Sequence, residues 1–187
     1  MEPRKQLGHL MIDIESMGNC HDGAIVSIAA VEFDIHTGET GLEFYEKIDL
    51  QSAINIGLKI NADTIMWWMQ QEESARQMIY IYKGINISEA IFKFTKFIEL
   101  LNPSELQIWG NSPRFDLTLI ESAYKALGKN ISWKFRNERC VRTLVSFCPE
   151  IKDNMYFEGV KHNPIHDCLH QIKYCVEIMK KIKVDKS

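Results

Sequence analysis

The stretch HLMIDIE, residues 9–15, and the stretch AIVSIAAVEFDI that follows it at residues 24–35 decide how this chain is read. The first sets Asp13 and Glu15 into an apolar run with Met11, Ile12 and Ile14, and reads as a short strand. The second is rich in β-branched residues and partly alternating, which predicts a second strand. HTGE at 36–39 is a turn signal, and a third strand is expected through about 42–48. Three strands with short links point to an antiparallel meander. Residues two apart on a strand share a face, so Asp13 and Glu15 project together. Their carboxylates would repel each other unless a cation lay between them. Hard divalent cations such as Mg²⁺ and Mn²⁺ take such oxygen ligands, although a D-x-E pair is also a common solvated arrangement.

Downstream the pattern turns helical. Residues 62–71 read as a helix with Asp63 as a candidate cap, and 73–82 as a second. Ser88 is placed to cap an amphipathic helix over 89–101, where Ala90, Ile91, Phe94, Phe97, Ile98 and Leu101 recur at helical spacing before Asn102-Pro103 stops it. LQIWG at 106–110 reads as a buried strand. Pro113 stands near the start of a helix that runs to Leu127 and ends at Gly128. A fifth strand is expected at 131–135, a helix at 139–147, a loop to about 163, and a last amphipathic helix over about 165–183. The order suits an α/β layer fold with a mixed sheet. No repeat, low-complexity tract or linker divides the 187 residues, so a single domain over 1–187 is expected.

Composition narrows the class. The net charge of −3 argues neither for nor against nucleic acid, but acidic residues predominate over 1–93 and basic ones over 94–187. One domain can hold a carboxylate metal site and a cationic phosphate track if both face one cleft. The densest basic cluster is Lys134, Arg136, Arg139 and Arg142. Five scattered cysteines without a C-x-x-C pair fit a reducing cytoplasm better than a disulfide framework. The charged start of the chain carries no signal-like apolar stretch, and no run of about 18 apolar residues is present. A cytoplasmic chain, host cytoplasm if phage-encoded, with no membrane partner is the expectation.

Two further segments carry acids. WGNSPRFD at 109–116 ends a strand, turns, and puts Asp116 in the first turn of a helix, a place for a macrodipole partner or for a group facing the ligand crevice of an α/β sheet. HNPIHD at 162–167 opens the last helix with His162 on the approach and Asp167 in the first turn. A competing reading takes His162, His166 and His170 as a zinc face. Pro164 opposes a regular helix through all three, and no H-E-x-x-H signature is present.

Together the three acidic segments resemble the three exonuclease motifs of the DEDDh superfamily. Asp13 and Glu15 match the first, Asp116 the second, and His162 with Asp167 the third and its H-x-x-x-x-D spacing. DIESMG at 13–18, DTIMWWMQQEESAR at 63–76, SPRFD at 112–116 and GVKHNPIHDCLHQIKY at 159–174 are similar to the phage exonuclease A group, related to the exodeoxyribonuclease VIII nuclease domain and to a mycobacterial-type exoribonuclease. Pro164 departs from the small residue common in the third motif. The resemblance implies an RNase H-like fold, a mixed five-stranded sheet whose first three strands are antiparallel, flanked by helices. It implies a 3′-5′ exonuclease using two Mg²⁺ or Mn²⁺ ions, with Asp13, Glu15, Asp116 and Asp167 as ligands and His162 as general base. The partner is the 3′ end of single-stranded DNA or RNA, DNA being favoured. Ser16, Met17, Gly18, Trp67, Trp68, Gln71 and Arg114 are the candidate substrate contacts. A catalytically silent single-strand binding module is the alternative from another class.

Overall fold

The computed structural model describes residues 4–184; Met1–Pro3 of the charged N-terminal segment and the last three residues of the 1–187 span lie outside the described residues. β1 (His9–Ser16) is the middle of a five-stranded sheet of order β3-β2-β1-β4-β5. It pairs antiparallel with β2 (Ile25–Phe33) and parallel with β4 (Gln107–Gly110). β2 pairs antiparallel with β3 (Thr40–Lys47), and β4 parallel with β5 (Glu138–Cys140). The meander and the mixed sheet are therefore as the sequence predicts.

Helices cover both faces, which is why β2 is buried at all nine positions instead of alternating. On one face Leu10, Ile12, Ile14 and Phe44 meet Ile91, Phe94 and Ile98 of α4 (Ile87–Glu99) and Ile120 and Tyr124 of α5 (Asp116–Ala126). On the other, Met11, Ala29, Val31 and Phe33 meet Val141 and Leu144 of α6 (Val141–Val145) and Ile172 and Val176 of α8 (Pro164–Val184). Each such aliphatic or aromatic side chain contributes about 1.5–3 kcal/mol when fully buried. Strand alternation then decides where the acids go: Met11, Asp13 and Glu15 form one row on the α8 face. Cys168 donates its thiol to the Met11 carbonyl at 3.6 Å and seats the start of α8 over that row.

Several boundaries differ from the sequence reading. The fifth strand is Glu138–Cys140, not 131–135. Trp133 is withdrawn into the core against Phe94 and Tyr124, and its Nε1 donates to Glu138. Pairing with β4 instead begins beyond a 3-10 turn at Phe135–Asn137, so the helix expected at 139–147 shortens to α6. A short α7 (Pro149–Asp153), with Pro149 in its first turn, interrupts the expected loop. An unexpected α1 (Leu50–Asn55) is capped by Asp49. Asn61, not Asp63, caps α2 (Ala62–Met69), and Asn86, not Ser88, caps α4; Asp63 sits in the first turn instead. α3 (Glu73–Tyr80) lies where expected, while α5 begins at Asp116, three residues past Pro113. Gly128, at φ +67°, ends α5 in the left-handed conformation that favours glycine.

Candidate active site

β1 supplies Asp13 and Glu15, the first turn of α5 supplies Asp116, and the first turn of α8 supplies Asp167. All four line one cleft of about 250 Å³ together with Ile14, Asn111, Ser112, Phe115, Arg142, His162 and Gln171. Carboxylate oxygens of Asp13, Glu15 and Asp167 lie within 4.8 Å of one another. Asp116 is fixed by its own turn: its backbone N–H donates to the Ser112 carbonyl at 3.1 Å, and its Oδ2 accepts from the Ser112 N–H at 3.2 Å. Gly110 allows this approach, since a Cβ there would stand 3.0 Å from Asp116 Oδ2. Gln171 donates from Nε2 to Asp13 Oδ1 at 2.9 Å.

Gathering four acids at one place perturbs them. Burial raises Asp13 well above the ordinary aspartate range, and the charges of Asp116 and Asp167 raise it further. Burial first, then Asp13, does the same to Glu15. Asp116 and Asp167 are each pushed up to about 6, burial being the main cause in both. Asp167 Oδ2 is buried with no hydrogen-bond partner. An orphaned carboxylate oxygen beside three other carboxylates is the donor set that a hard divalent cation completes, so these residues fit one.

The approach to α8 shapes the rest. Asn163 accepts from the N–H groups of Ile165 and His166 through Oδ1, and Pro164 takes the first helical position, where no N–H is needed. The departure at Pro164 is thus accommodated by a capped helix start. His162 adopts φ +63°, a left-handed conformation uncommon outside glycine, and its ring lies edge-on to Trp67 at 5.1 Å and Trp68 at 5.9 Å between centroids. Burial, then the nearby Lys161 charge, hold the His162 ring below the usual histidine range, so it is neutral near pH 7.

A second cleft of about 390 Å³ adjoins the first and shares Glu15 and Phe115 with it; Ser16, Asn19, Asp63, Thr64, Trp67 and Trp68 complete its lining. The adjacent tryptophans divide their tasks. Trp68 is 5 % exposed and donates from Nε1 to the Ser16 carbonyl at 2.9 Å, whereas Trp67 is 43 % exposed. Met17 packs with Val26, Trp68 and Ala75. Gly18 is pressed against the Lys59 carbonyl, which a Cβ would meet at 2.5 Å. The Gln71 amide donates back to the Trp67 carbonyl in α2, and Arg114 is exposed outside both clefts. His166 accepts from the Val160 N–H and His170 packs against Phe157 and Tyr174. Among the described residues the metal-competent group is the acidic one, so the zinc face is not formed.

Sequence reasoning missed Gln171, Asn111, Phe115 and the polar wall of the second cleft. Gln171 had a signal: it stands four residues after Asp167, one helical turn along the same face.

The model of the Rv2179c-like 3′-5′ exoribonuclease domain matches residues 8–179. An exodeoxyribonuclease of Enterobacteria phage T4 is 26% identical over 201 residues, covering 87% of this chain and 85% of the phage protein. Among solved structures, the nuclease domain of 3'hExo, a DEDDh family member bound to rAMP, superposes with a TM-score of 0.63 at 12% identity, covering 92% of each chain. E. coli exonuclease I in complex with a dA16 oligonucleotide gives a TM-score of 0.63 at 13% identity over 94% of this chain, which spans 40% of that protein. These likenesses carry the fold, an RNase H-like mixed sheet flanked by helices.

Proposed function

This chain belongs to the Rv2179c-like 3′-5′ exoribonuclease domain family and is a 3′-5′ exonuclease, and from that premise we propose that it is of DEDDh type and shortens single-stranded nucleic acid, DNA in preference to RNA, from the 3′ end as a single domain. The observation that carries this reading is the convergence of Asp13, Glu15, Asp116, Asp167 and His162 on one cleft beside a second, aromatic-walled cleft. The first suits a phosphodiester and the second a nucleoside. The preference for DNA rests on the sequence likeness to the phage T4 exodeoxyribonuclease; the description of the family favours RNA as the second reading.

In this mechanism the four carboxylates would hold two divalent cations, Mg²⁺ or Mn²⁺, which when bound neutralise the phosphate and lower the pKa of water. His162, neutral and held by Trp67 and Trp68 at the cleft wall, takes the proton from the attacking water. The oxygen of that water bonds to phosphorus, the bond to the 3′ oxygen of the preceding nucleotide breaks, and that oxygen takes up a proton from solvent while His162 later releases its own to solvent. The products are a nucleoside 5′-monophosphate and a strand ending in a new 3′ hydroxyl. Gln171 holds Asp13 in place through its amide N–H. Trp67, exposed at the mouth of the second cleft, and Phe115 between the two clefts are stacking surfaces for the terminal base. Ser16 and the backbone that Gly18 lets approach Lys59 form the wall that stops the strand end.

The test is release of mononucleotides from 3′-labelled and 5′-labelled single-stranded DNA and RNA in Mg²⁺ or Mn²⁺. Early loss of the 3′ label is expected, with Asp13→Ala inactive. Full activity of Asp13→Ala, or first release of the 5′ label, overturns the reading; faster turnover of RNA than DNA overturns the sugar preference alone.

A further inference from the structure

Of the four basic residues clustered in sequence at 134–142, one lines the carboxylate cleft. Arg139 spends its guanidinium on the carbonyls of Arg136 and Glu138 at 2.9 and 2.8 Å, and Arg136 lies over the ring of Phe135. Neither these nor Lys134 lines the cleft, and Arg142 does. Among the described residues it is the only lysine or arginine that lines the cleft.

A cation beside four acids would ordinarily pair with one of them. Arg142 pairs with none among the described residues. The acids have other partners: Asp13 takes the Gln171 amide and Asp116 takes the Ser112 N–H. The guanidinium therefore keeps its planar fork of five donors unspent at an exposed rim. Its position is nevertheless fixed by the fold. β5 pairs with β4 at Gly110 and Cys140, Gly110 is the residue against which Asp116 folds, and Arg142 follows Cys140 by two residues. Cys140 Sγ accepts from the Thr143 N–H, and the Arg142 N–H donates to the Asn111 carbonyl at 3.4 Å. Buried Val141 and Leu144 anchor the turn on either side. The same β4 end thus sets the places of Asp116 and of Arg142.

We propose that Arg142 is a phosphate-binding residue of this cleft, its guanidinium gripping the non-bridging oxygens of the phosphodiester that lies against the carboxylates. This rests on the exonuclease reading above and adds a named recognition group to it. The chemistry favours arginine here. A guanidinium matches two phosphate oxygens at once and stays charged when desolvated. If two divalent cations balance the four carboxylates, the charge of the phosphodiester itself is left for Arg142.

The experiment compares the wild type with Arg142→Ala and Arg142→Lys in the presence of Mn²⁺. Thymidine 5′-monophosphate and thymidine are titrated calorimetrically, and kcat/KM on a single-stranded oligonucleotide is measured across a salt series. The wild type should prefer the monophosphate, and Arg142→Ala should lose roughly tenfold of that preference. The slope of log kcat/KM against log salt should become shallower by about 0.7, the value for one phosphate contact on a single strand. Arg142→Lys should fall between the two, since it restores charge but not the fork. Lys96→Ala, a charge removed from α4 on the other side of the sheet, calibrates the slope for simple loss of a cation. If Arg142→Ala keeps the wild-type preference and slope, the assignment is wrong. If the wild type releases no nucleotide from any 3′ end, it is the exonuclease reading that fails, and the two outcomes are distinct.

Discussion

Trp68 joins the fold to the site through one bond, and replacing it with phenylalanine isolates that bond. Phenylalanine keeps an aromatic ring in the small cluster with Met17, Val26 and Ala75 but removes the N–H that donates to the Ser16 carbonyl at 2.9 Å. Ser16 is 5 % exposed, so water does not readily replace the lost donor. An unsatisfied buried acceptor costs about 1–3 kcal/mol. For a domain of this size each kcal/mol shifts the melting temperature by about 2–4 °C, so Trp68→Phe should melt roughly 2–12 °C below the wild type. Ser16 follows Glu15 directly and shares the aromatic-walled cleft with Trp67, so the loss should also be felt in the reaction. KM for the strand end is expected to rise more than kcat falls, because the carboxylate row itself is held by α8 and by Gln171. Thermal unfolding followed by circular dichroism, with steady-state kinetics on one oligonucleotide, checks both parts. A variant that melts with the wild type and keeps its KM would refute the idea that this bond ties the strand-end wall to the core.

Three further outcomes are expected. Gly110→Ala would bring a Cβ to 3.0 Å from Asp116 Oδ2; displacing that carboxylate by even a fraction of an ångström should lower kcat by roughly tenfold or more while the fold melts within a few degrees of wild type, as calorimetry and single-turnover rates would report. Mn²⁺ at about a hundred times its dissociation constant should stabilise the wild type by about 2.7 kcal/mol for each site filled. Asp13→Asn should melt higher than wild type without metal, because it removes one of the crowded charges, and should lose most of the Mn²⁺ gain. Stability should also fall in acid through His9, whose Nδ1 accepts from the Trp109 indole N–H and whose pKa burial lowers to about 4. The unfolded chain binds that proton near 6.5, so the contribution is full above about 6.5 and is lost as pH falls towards 4. A His9→Gln variant with the same acid limb in denaturant titrations would remove His9 as the cause.

The acids were legible because strand period and helix starts are local properties. Asp13 and Glu15 share a face by alternation alone, and Asp116 and Asp167 stand where helices begin. Partners supplied by the tertiary fold were less legible. The place of β5 is decided by what Trp133 does in a core built from α4 and α5, and no pattern within 131–140 encodes that choice. The cleft wall formed by Asn19, Asp63 and Thr64 is likewise assembled from the β1–β2 link and α2. Capping was misread where two candidates lay close together. Asn61 and Asp63 are both good caps, and the backbone, extended at Asn61, selects the first. Arg142 and its basic neighbours are alike in sequence; only the pairing of Gly110 with Cys140 distinguishes which one lines the acidic cleft.

The fourth carboxylate belongs to the last helix, and this has a bearing on the chain during its own synthesis. Asp13 and Glu15 leave the ribosome early, but Asp167 arrives only when α8 has been made and has docked across β1 and β2. Until then the acidic row lacks one member, and the cleft lacks His162, which precedes α8 by two residues. A polypeptide interrupted anywhere before residue 162 therefore lacks both His162 and Asp167. On the reading proposed above, a fragment that stops short of α8 should therefore leave a nucleic acid uncut, however well its sheet has formed.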